Sequence, residues 1–383
     1  MTRPSTGRVA PERRRTSGVQ APEQSGRVSS AGAVPEPGIA RIAVDLLGGD
    51  HAPAVVVDGA LRACQADPAL QLILVGPVEA ADALLCALDP AERHRVRTIA
   101  APAGQSDHDA SGSDRSADAG PRRAISLGAA PDQALSRVES GVRTAVLAVA
   151  QGQADAVVSA GNTGATVTSA ALGLGRWPGV RRPALAAVLP TVAGRLVLLD
   201  VGSSVDPDEH TLAMHARLGA AYAAVVQGVT APRLGLLTIG TERGKGDRLR
   251  RAAPAVLAAL ELPAGGRYTG LVEGHDVVTG SAADVVVTDG FTGNVLLKGL
   301  ETAYALIRPP AGGDVPPRAA ILLGVGGIVV VCHGAATGED IAAGIALAAD
   351  LHRRSAVPVI ADLIQFPVGQ PSPAAHEDSR GGS

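Results

Sequence analysis

Aromatic side chains are nearly missing from this chain: two phenylalanines, three tyrosines and one tryptophan in 383 residues. Its apolar volume must therefore come from Ala, Val and Leu, which suits strands buried on both faces and closely packed helices. Cysteine is equally sparse. Cys64, Cys86 and Cys332 stand at spacings that fit neither a zinc site nor a disulfide framework, so they read as core residues of a protein in a reducing cytoplasm. The longest apolar run, residues 321–332, falls well short of the ~20 residues a bilayer requires. The start of the chain has no hydrophobic signal core, and Glu12 and Glu23 within its arginine-rich stretch argue against an organelle transit peptide. A formal net charge of −3 argues against a nucleic-acid footprint. Lysine is the last scarcity: of 34 basic side chains, only Lys245 and Lys298 are lysines. In a chain so biased to arginine, a surviving lysine marks a place where a compact point charge is wanted and a broad fork is not.

What is present is an alternation of buried strands and amphipathic helices, an α/β pattern that allows one large domain or two lobes. Residues 1–38 and 367–383 have the composition of disordered tails, leaving 39–366 as a single catalytic domain. Residues 102–123 read as a flexible surface loop, in which Asp107, His108 and Asp109 resemble metal ligands only in composition. A helical pattern runs from Pro131 to Gln151 and another from about Pro207 to Gln227. On the latter, His210 and His215 stand about 140° apart and cannot share a metal. A strand is expected through YTGLVEGHDV, another through GRLVLLDVGSSVD, and a final helix from Glu339 to Arg354.

One device occurs twice. ADAVVSAGNTGAT aligns with ADVVVTDGFTGNV so that Ala154, Asp155, Val157, Val158, Ser159, Gly161, Thr163 and Gly164 match Ala283, Asp284, Val286, Val287, Thr288, Gly290, Thr292 and Gly293. Each copy is a buried strand delivering a glycine turn to a helix start, where free N–H groups and the helix dipole favour an anion such as phosphate. The plainer reading is that any doubly wound protein needs several such turns. Hydroxyls and amides at related places, Thr163 with Asn162 and Thr292 with Asn294, favour one shared site. Familiar nucleotide motifs are absent: GTERGKGD lacks the P-loop spacing and its Ser or Thr, no Gly-x-Gly-x-x-Gly follows the first strand, and no Gly-x-Ser-x-Gly elbow occurs.

The stretches GGDHAP (48–53), SAGNTGA (159–165), RPALAAVLPT (182–191), LLDVGSSVD (198–206), GLLTIGTERGKG (235–246), VVVTDGFTGNVLLK (285–298) and HGA (333–335), in this order, resemble the bacterial phosphate acyltransferases of phospholipid synthesis. The resemblance implies a large three-layer α/β/α sandwich with a mostly parallel sheet, like the phosphotransacetylases and isopropylmalate dehydrogenases. It also implies transfer of a fatty acyl group from acyl-[acyl carrier protein] to inorganic phosphate, without a cofactor. The expected setting is a cytoplasmic homodimer, at most peripherally membrane-associated, that supplies a membrane glycerol-phosphate acyltransferase. Beyond the packing changes LLGGD (46–50) and GSS (202–204), this chain departs from the family pattern in two places that bear on docking and substrate contacts. RPPAGGDVPPR, a shortened linker at 308–318, stands where the family has a helical hairpin, and SRVESG (136–141) keeps only Arg137 and Ser140 of a basic run ahead of a serine pair.

Such a transfer must hold phosphate for attack and donate hydrogen bonds to a tetrahedral oxyanion, with no strong base required, because a thiol of pKa about 8.5 leaves readily. The expected catalytic residues are Lys245, as the cation on phosphate, Asn162 and His51. Binding is expected from Gly161, Thr163, Gly164, Thr241, Gly290, Thr292, Gly293, Asn294 and Lys298, and no metal is expected. Lys298, two turns into its helix, reads equally as a solvated residue, and His51 before Pro53 equally as a turn cap. A short-chain phosphotransacylase using coenzyme A, and a non-catalytic paralogue serving as an interaction partner, remain as alternatives.

Overall fold

Every described strand belongs to one sheet. A computed structural model describes residues 38–90, 92–101, 140–242, 244–307 and 319–364. The expected tails apart from Gly38, the 102–123 loop, Arg137 and the shortened linker at 308–318 lie outside the described residues. The chain begins with β1 (Ala40–Asp45), α1 (Ala54–Ala66), β2 (Leu70–Gly76), α2 (Val78–Ala87) and β3 (Val96–Ala100), then α3 (Ser140–Ala150), β4 (Ala156–Ser159) and α4 (Thr163–Gly173). A hairpin of β5 (Ala184–Thr191) and β6 (Gly194–Leu199) leads to α5 (Glu209–Gln227). After it come β7 (Arg233–Leu237), α6 (Arg248–Ala258), β8 (Arg267–Val272), α7 (Gly274–Thr279), β9 (Val285–Val287) and α8 (Gly290–Ile307). The last elements are β10 (Ala319–Leu323), β11 (Ile328–Cys332), α9 (Gly338–Arg353) and α10 (Ala356–Ile364).

The sheet has 11 strands in the order β3-β2-β1-β4-β11-β10-β5-β6-β9-β7-β8. Parallel pairs form both flanks, and the antiparallel pairs β11–β10, β10–β5 and β5–β6 are confined to the middle. Three reversals leave β4 and β9 running in opposite directions. Alternate residues of the strands feed two separate cores. Ile42, Val44, Val285, Val287 and Val330 pack on one face with α1, α2, α5, α6, α9 and α10. Ala43, Val157, Val286, Leu322 and Val329 pack on the other with α3, α4, α7 and α8. Near-continuous apolar runs are what strands covered on both faces require, and the result is three layers.

Several boundaries differ from the sequence reading. The run 321–332 is two antiparallel strands, because Gly324 adopts φ +92° and turns the chain back. Glu273 closes a reciprocal capping box with Asp276, so EGHDV forms α7 where a strand continuation is expected. β6 ends at Leu199, since Asp200 diverts the following N–H groups to its side chain. A further helix, α10, follows the expected final one.

The duplicated sequence proves to be a duplicated clamp. Asp155 receives the backbone N–H of Arg41 at 2.8 Å and its Nη2 at 2.6 Å, while Arg41 Nη1 donates to the Gly152 carbonyl. Asp284 receives the N–H of Arg233 at 2.9 Å and its Nη2 at 2.8 Å, while Arg233 Nη1 donates to the Ser281 carbonyl. Each aspartate thus ties the start of its strand region to the neighbouring parallel strand, β1 or β7. Burial pushes both carboxyls up, but the arginine hydrogen bonds pull them further down, below the usual carboxylate range. A depressed folded-state pKa gives stability that is present above the unfolded value, near pH 3.9, and lost as pH falls through the folded one. Because solvent reaches both guanidiniums, Asp155→Ala and Asp284→Ala should each cost about 1–2 kcal/mol at pH 7. The two losses should add, because the clamps share no partners. Urea unfolding at pH 7 and pH 3 checks this: the gap between wild type and each variant should shrink at the lower pH.

Candidate active site

At the end of β4, Ser159 Oγ donates to Asp45 Oδ2 at 2.8 Å and accepts the Gly161 N–H at 3.1 Å. Asn162 then caps α4, its Oδ1 accepting the Ala165 N–H at 3.0 Å. The cap is a neutral amide, and the first-turn N–H groups of Thr163 and Gly164 have no partner among the described residues. Loop 48–51 presses onto this turn: a Cβ on Gly48 would lie 2.5 Å from the Gly161 nitrogen. The Asp50 N–H donates to the Gly334 carbonyl at 2.8 Å. Residues 48–53, 159–165 and 333–335, far apart in sequence, therefore meet here. His51 is exposed at the entry to α1, where its carbonyl accepts the Val55 N–H and its ring has no partner among the described residues.

The second turn is built differently. Asp289, which aligns with Ala160, accepts the Thr292 N–H and hydroxyl, each at 2.8 Å. The helix consequently begins at Gly290, two residues earlier than in the first copy, and Phe291 takes the place of Asn162. The donors are largely spent: the Gly290 N–H goes to the Ser204 carbonyl at 2.7 Å and the Gly293 N–H to Asp289 O at 3.0 Å. Gly293 and Asn294 dock the helix on the loop after β6. A Cβ on Gly293 would overlap the Asp200 carbonyl, and Asn294 Nδ2 donates to the Val201 carbonyl at 2.9 Å. That loop is held by Asp200, whose carboxylate accepts the N–H groups of Leu185, Gly202, Ser203 and Ser204. Burial raises the Asp200 pKa, opposed by His215 and these donors.

A buried arginine that sequence reading missed holds the second turn in place. Arg250 Nη2 lies 2.6 Å from Asp289 Oδ2 and 2.7 Å from Thr288 Oγ1, Nη1 reaches Asp247 at 2.9 Å, and Nε donates to the Leu237 carbonyl. Burial pushes Asp289 up, and the Thr292 and Arg250 hydrogen bonds outweigh it to leave the pKa below its ordinary value. The signal was available: Arg250 stands on the buried stripe of α6 with Ala253 and Leu257, where a charge needs a partner. Asp289 before a glycine and a helical run likewise fits an N-cap. Arg250→Ala should cost about 3–5 kcal/mol by stranding the Asp289 carboxylate, a loss that thermal unfolding at neutral pH would register.

Arg250 also anchors the loop that carries Lys245. Gly244 and Gly246 flank the lysine with φ +91° and +88°, and a Cβ on Gly246 would meet Arg250 Cβ at 2.5 Å. Only glycine fits those two positions. Lys245 is exposed and has no ion pair among the described residues, its N–H donating to the Glu242 carbonyl. Thr241 is exposed too, its N–H bound to Glu273 Oε1 at 3.2 Å. Two cavities adjoin this loop. One of about 480 Å³ is lined chiefly by Leu237, Ile239, Gly246, Phe291, Val295 and Leu296. The other, about 430 Å³, has Asp206, Asp247, Arg248, Arg250 and Asp289 in its wall. Asp247, Arg250, Phe291 and Thr292 border both. Lys298 is exposed farther along α8, its carbonyl accepting the Thr302 hydroxyl.

The structure therefore sorts the expected residues into two groups. Thr241, Lys245, Gly290, Thr292, Gly293 and Asn294 gather around the β7 loop and α8, whereas His51, Gly161, Asn162, Thr163 and Gly164 gather at the end of β4. Strands β4 and β9 lie five places apart in the sheet, about 24 Å at the usual interstrand spacing, and run in opposite senses. Within one chain the two turns do not form one shared site. Among the described residues, no three His, Cys, Asp or Glu side chains come close enough to hold a metal ion.

The fold resembles that of solved phosphotransacylases. It superposes on a branched-chain phosphotransacylase from Enterococcus faecalis V583 (TM-score 0.53, 16% identity, covering 82% of this chain and 99% of that one). A phosphotransacetylase from Streptococcus pyogenes gives TM-score 0.51 at 20% identity over 84% and 94% of the two chains. At such identities the likeness concerns the fold. In sequence, the family model described as "Fatty acid synthesis protein" matches residues 40–111 and 122–309. A phosphate acyltransferase of Thermobifida fusca (strain YX) is 39% identical over 337 residues, 81% of this chain and 87% of that protein. One of Heliobacterium modesticaldum (strain ATCC 51547 / Ice1) is 35% identical over 329 residues, 79% and 90%. The chain belongs to this phosphate acyltransferase family.

Proposed function

We propose that this protein transfers a fatty acyl group from acyl carrier protein to inorganic phosphate, giving acyl phosphate for phospholipid synthesis, and that the reaction takes place between the β7 loop and α8. The observation that carries the reading is a lysine with no ion pair among the described residues, presented by two obligatory glycines, beside an apolar cavity in a member of this family. Phosphate held by the Lys245 ammonium would attack the thioester carbonyl through one oxygen. The carbon–oxygen bond forms to give a tetrahedral oxyanion, whose collapse breaks the carbon–sulfur bond, and the phosphate proton passes to the departing thiolate. Asp289 occupies the helix donors of the second turn, so the support for anion binding here comes from Lys245 and its loop. Asn162, Thr163, Gly164 and His51 make up a second anion-favouring turn on the opposite edge, whose part in the reaction is tested separately below.

Lys245→Ala should lower turnover at subsaturating phosphate roughly tenfold, the scale of one charge-assisted hydrogen bond at an exposed position, without moving the melting temperature. Lys245→Arg should restore only part of it, because the fork is wider than the ammonium. Superimposable phosphate titrations for wild type and both variants would remove Lys245 from the site. The same titration on Thr163→Val, compared with Lys245→Ala, reports whether the β4 turn shares in phosphate binding.

The donor and setting need their own measurements. Activity with long-chain acyl carrier protein should exceed that with short-chain acyl-coenzyme A and should survive a chelator. Loss of activity that a divalent ion reverses would count against the mechanism. Among the described residues no helix is long and apolar enough to cross a membrane. With the linker shortened, we expect weak binding to anionic liposomes and a homodimer, and flotation and sedimentation experiments measure each.

A further inference from the structure

The chain places three large apolar side chains where nothing described covers them. Phe291, one of only two phenylalanines, is 63% exposed, Val295 one helical turn on is 59% exposed, and Ile239 across the cleft is 82% exposed. Phe291 and Val295 share a face of α8, being i and i+4, and all three line the 480 Å³ cavity. The neighbouring cavity is charged but nearly balanced, with Asp206, Asp247 and Asp289 against Arg248 and Arg250. It shares a wall with the apolar cavity at Asp247, Arg250, Phe291 and Thr292. An occupant matched to both would be apolar at one end, polar and close to neutral at the other, and joined where Thr292 stands.

We propose that Ile239, Phe291 and Val295 seat the acyl chain of the substrate, and that the polar, amide-bearing arm of its carrier lies in the adjacent charged cavity, with the thioester at the shared wall near Thr292. This rests on the acyl-transfer reading above and adds the location of the chain and the residues that select its length. A methylene moved from water into such a cavity gains enough for about a fourfold rise in affinity. Specificity should therefore climb with chain length until the cavity is full, then level off.

The test uses the full-length protein and acyl carrier protein loaded with saturated chains of four to sixteen carbons. For wild type, Phe291→Ser, Val295→Ser and Ile239→Ser, kcat/KM is measured against chain length. In parallel, a fluorescent long-chain fatty acid is titrated to report binding without turnover, and sedimentation reports the oligomeric state. All three residues are exposed, so the variants should melt with wild type. The expected result is a flattened slope, with the ratio of twelve-carbon to six-carbon specificity falling at least tenfold in Phe291→Ser, together with weakened fatty-acid binding. Parallel slopes and unchanged fatty-acid binding would overturn the proposal while leaving the acyl-transfer reading intact. Fatty-acid binding that is lost in the variants, with no acyl phosphate made by wild type, would support the seat and sink that reading. Variants that change only the oligomeric state would show the surface to be an interface between copies, which also overturns it.

Discussion

The direction of the sheet is the constraint on which the rest of the molecule depends. Seven parallel pairings alone would send every strand end, and every helix start, to one edge. The three antiparallel pairings in the middle turn the second flank over, so that two copies of one sequence device open on opposite edges. Gly324, with its positive φ between β10 and β11, makes one of these reversals sharp enough to fit in a short hairpin. A duplication that looks symmetrical along the chain is thereby separated in space, and each half is free to acquire its own chemistry.

That divergence can be followed residue by residue. The Arg–Asp clamps at the strand starts stay nearly superimposable in their hydrogen-bond pattern, because they fix strand to strand and nothing else. At the opposite ends of the same strands, Asp289 stands for Ala160 and Phe291 for Asn162. The first change places a carboxylate where a helix would otherwise attract an anion and needs a buried guanidinium to hold it. The second turns a polar cap into an exposed aromatic ring. One turn keeps uncommitted donors under a neutral amide, while the other exchanges them for an apolar wall and a lysine loop tied to the same arginine.

Much of this was legible in the residues. The alternation of Ile42, Ala43 and Val44, and of Val285, Val286 and Val287, already marks strands covered on both faces, and the glycines around Lys245 already mark a tight turn after β7. Capping chemistry hid the rest. Glu273 with Asp276 converts an expected strand into α7, and Asp289 moves the start of α8 by two residues, both through side chains that compete locally with the backbone. The opposition of the two turns was not legible, since strand order and sense arise from long-range pairing that no local stretch encodes. Arg250 was readable only as an anomaly, a charge on an apolar stripe whose partners lie in other elements.

The exposure of Lys245 and Lys298 has a chemical consequence for an enzyme of this kind. Acyl phosphates are activated esters that transfer their acyl group to free amines, and an enzyme making them works at the highest local concentration of its own product. Arginine is not a competent nucleophile at neutral pH, so a chain with 34 basic side chains and only two lysines offers that product few side-chain amines to modify. Among side-chain amines, self-acylation during turnover would be confined to these two, with the exposed Cys86 thiol as a further acceptor. Intact-mass measurement would show it as one or more added acyl groups, and acylation at Lys245 would erase the charge of its ammonium.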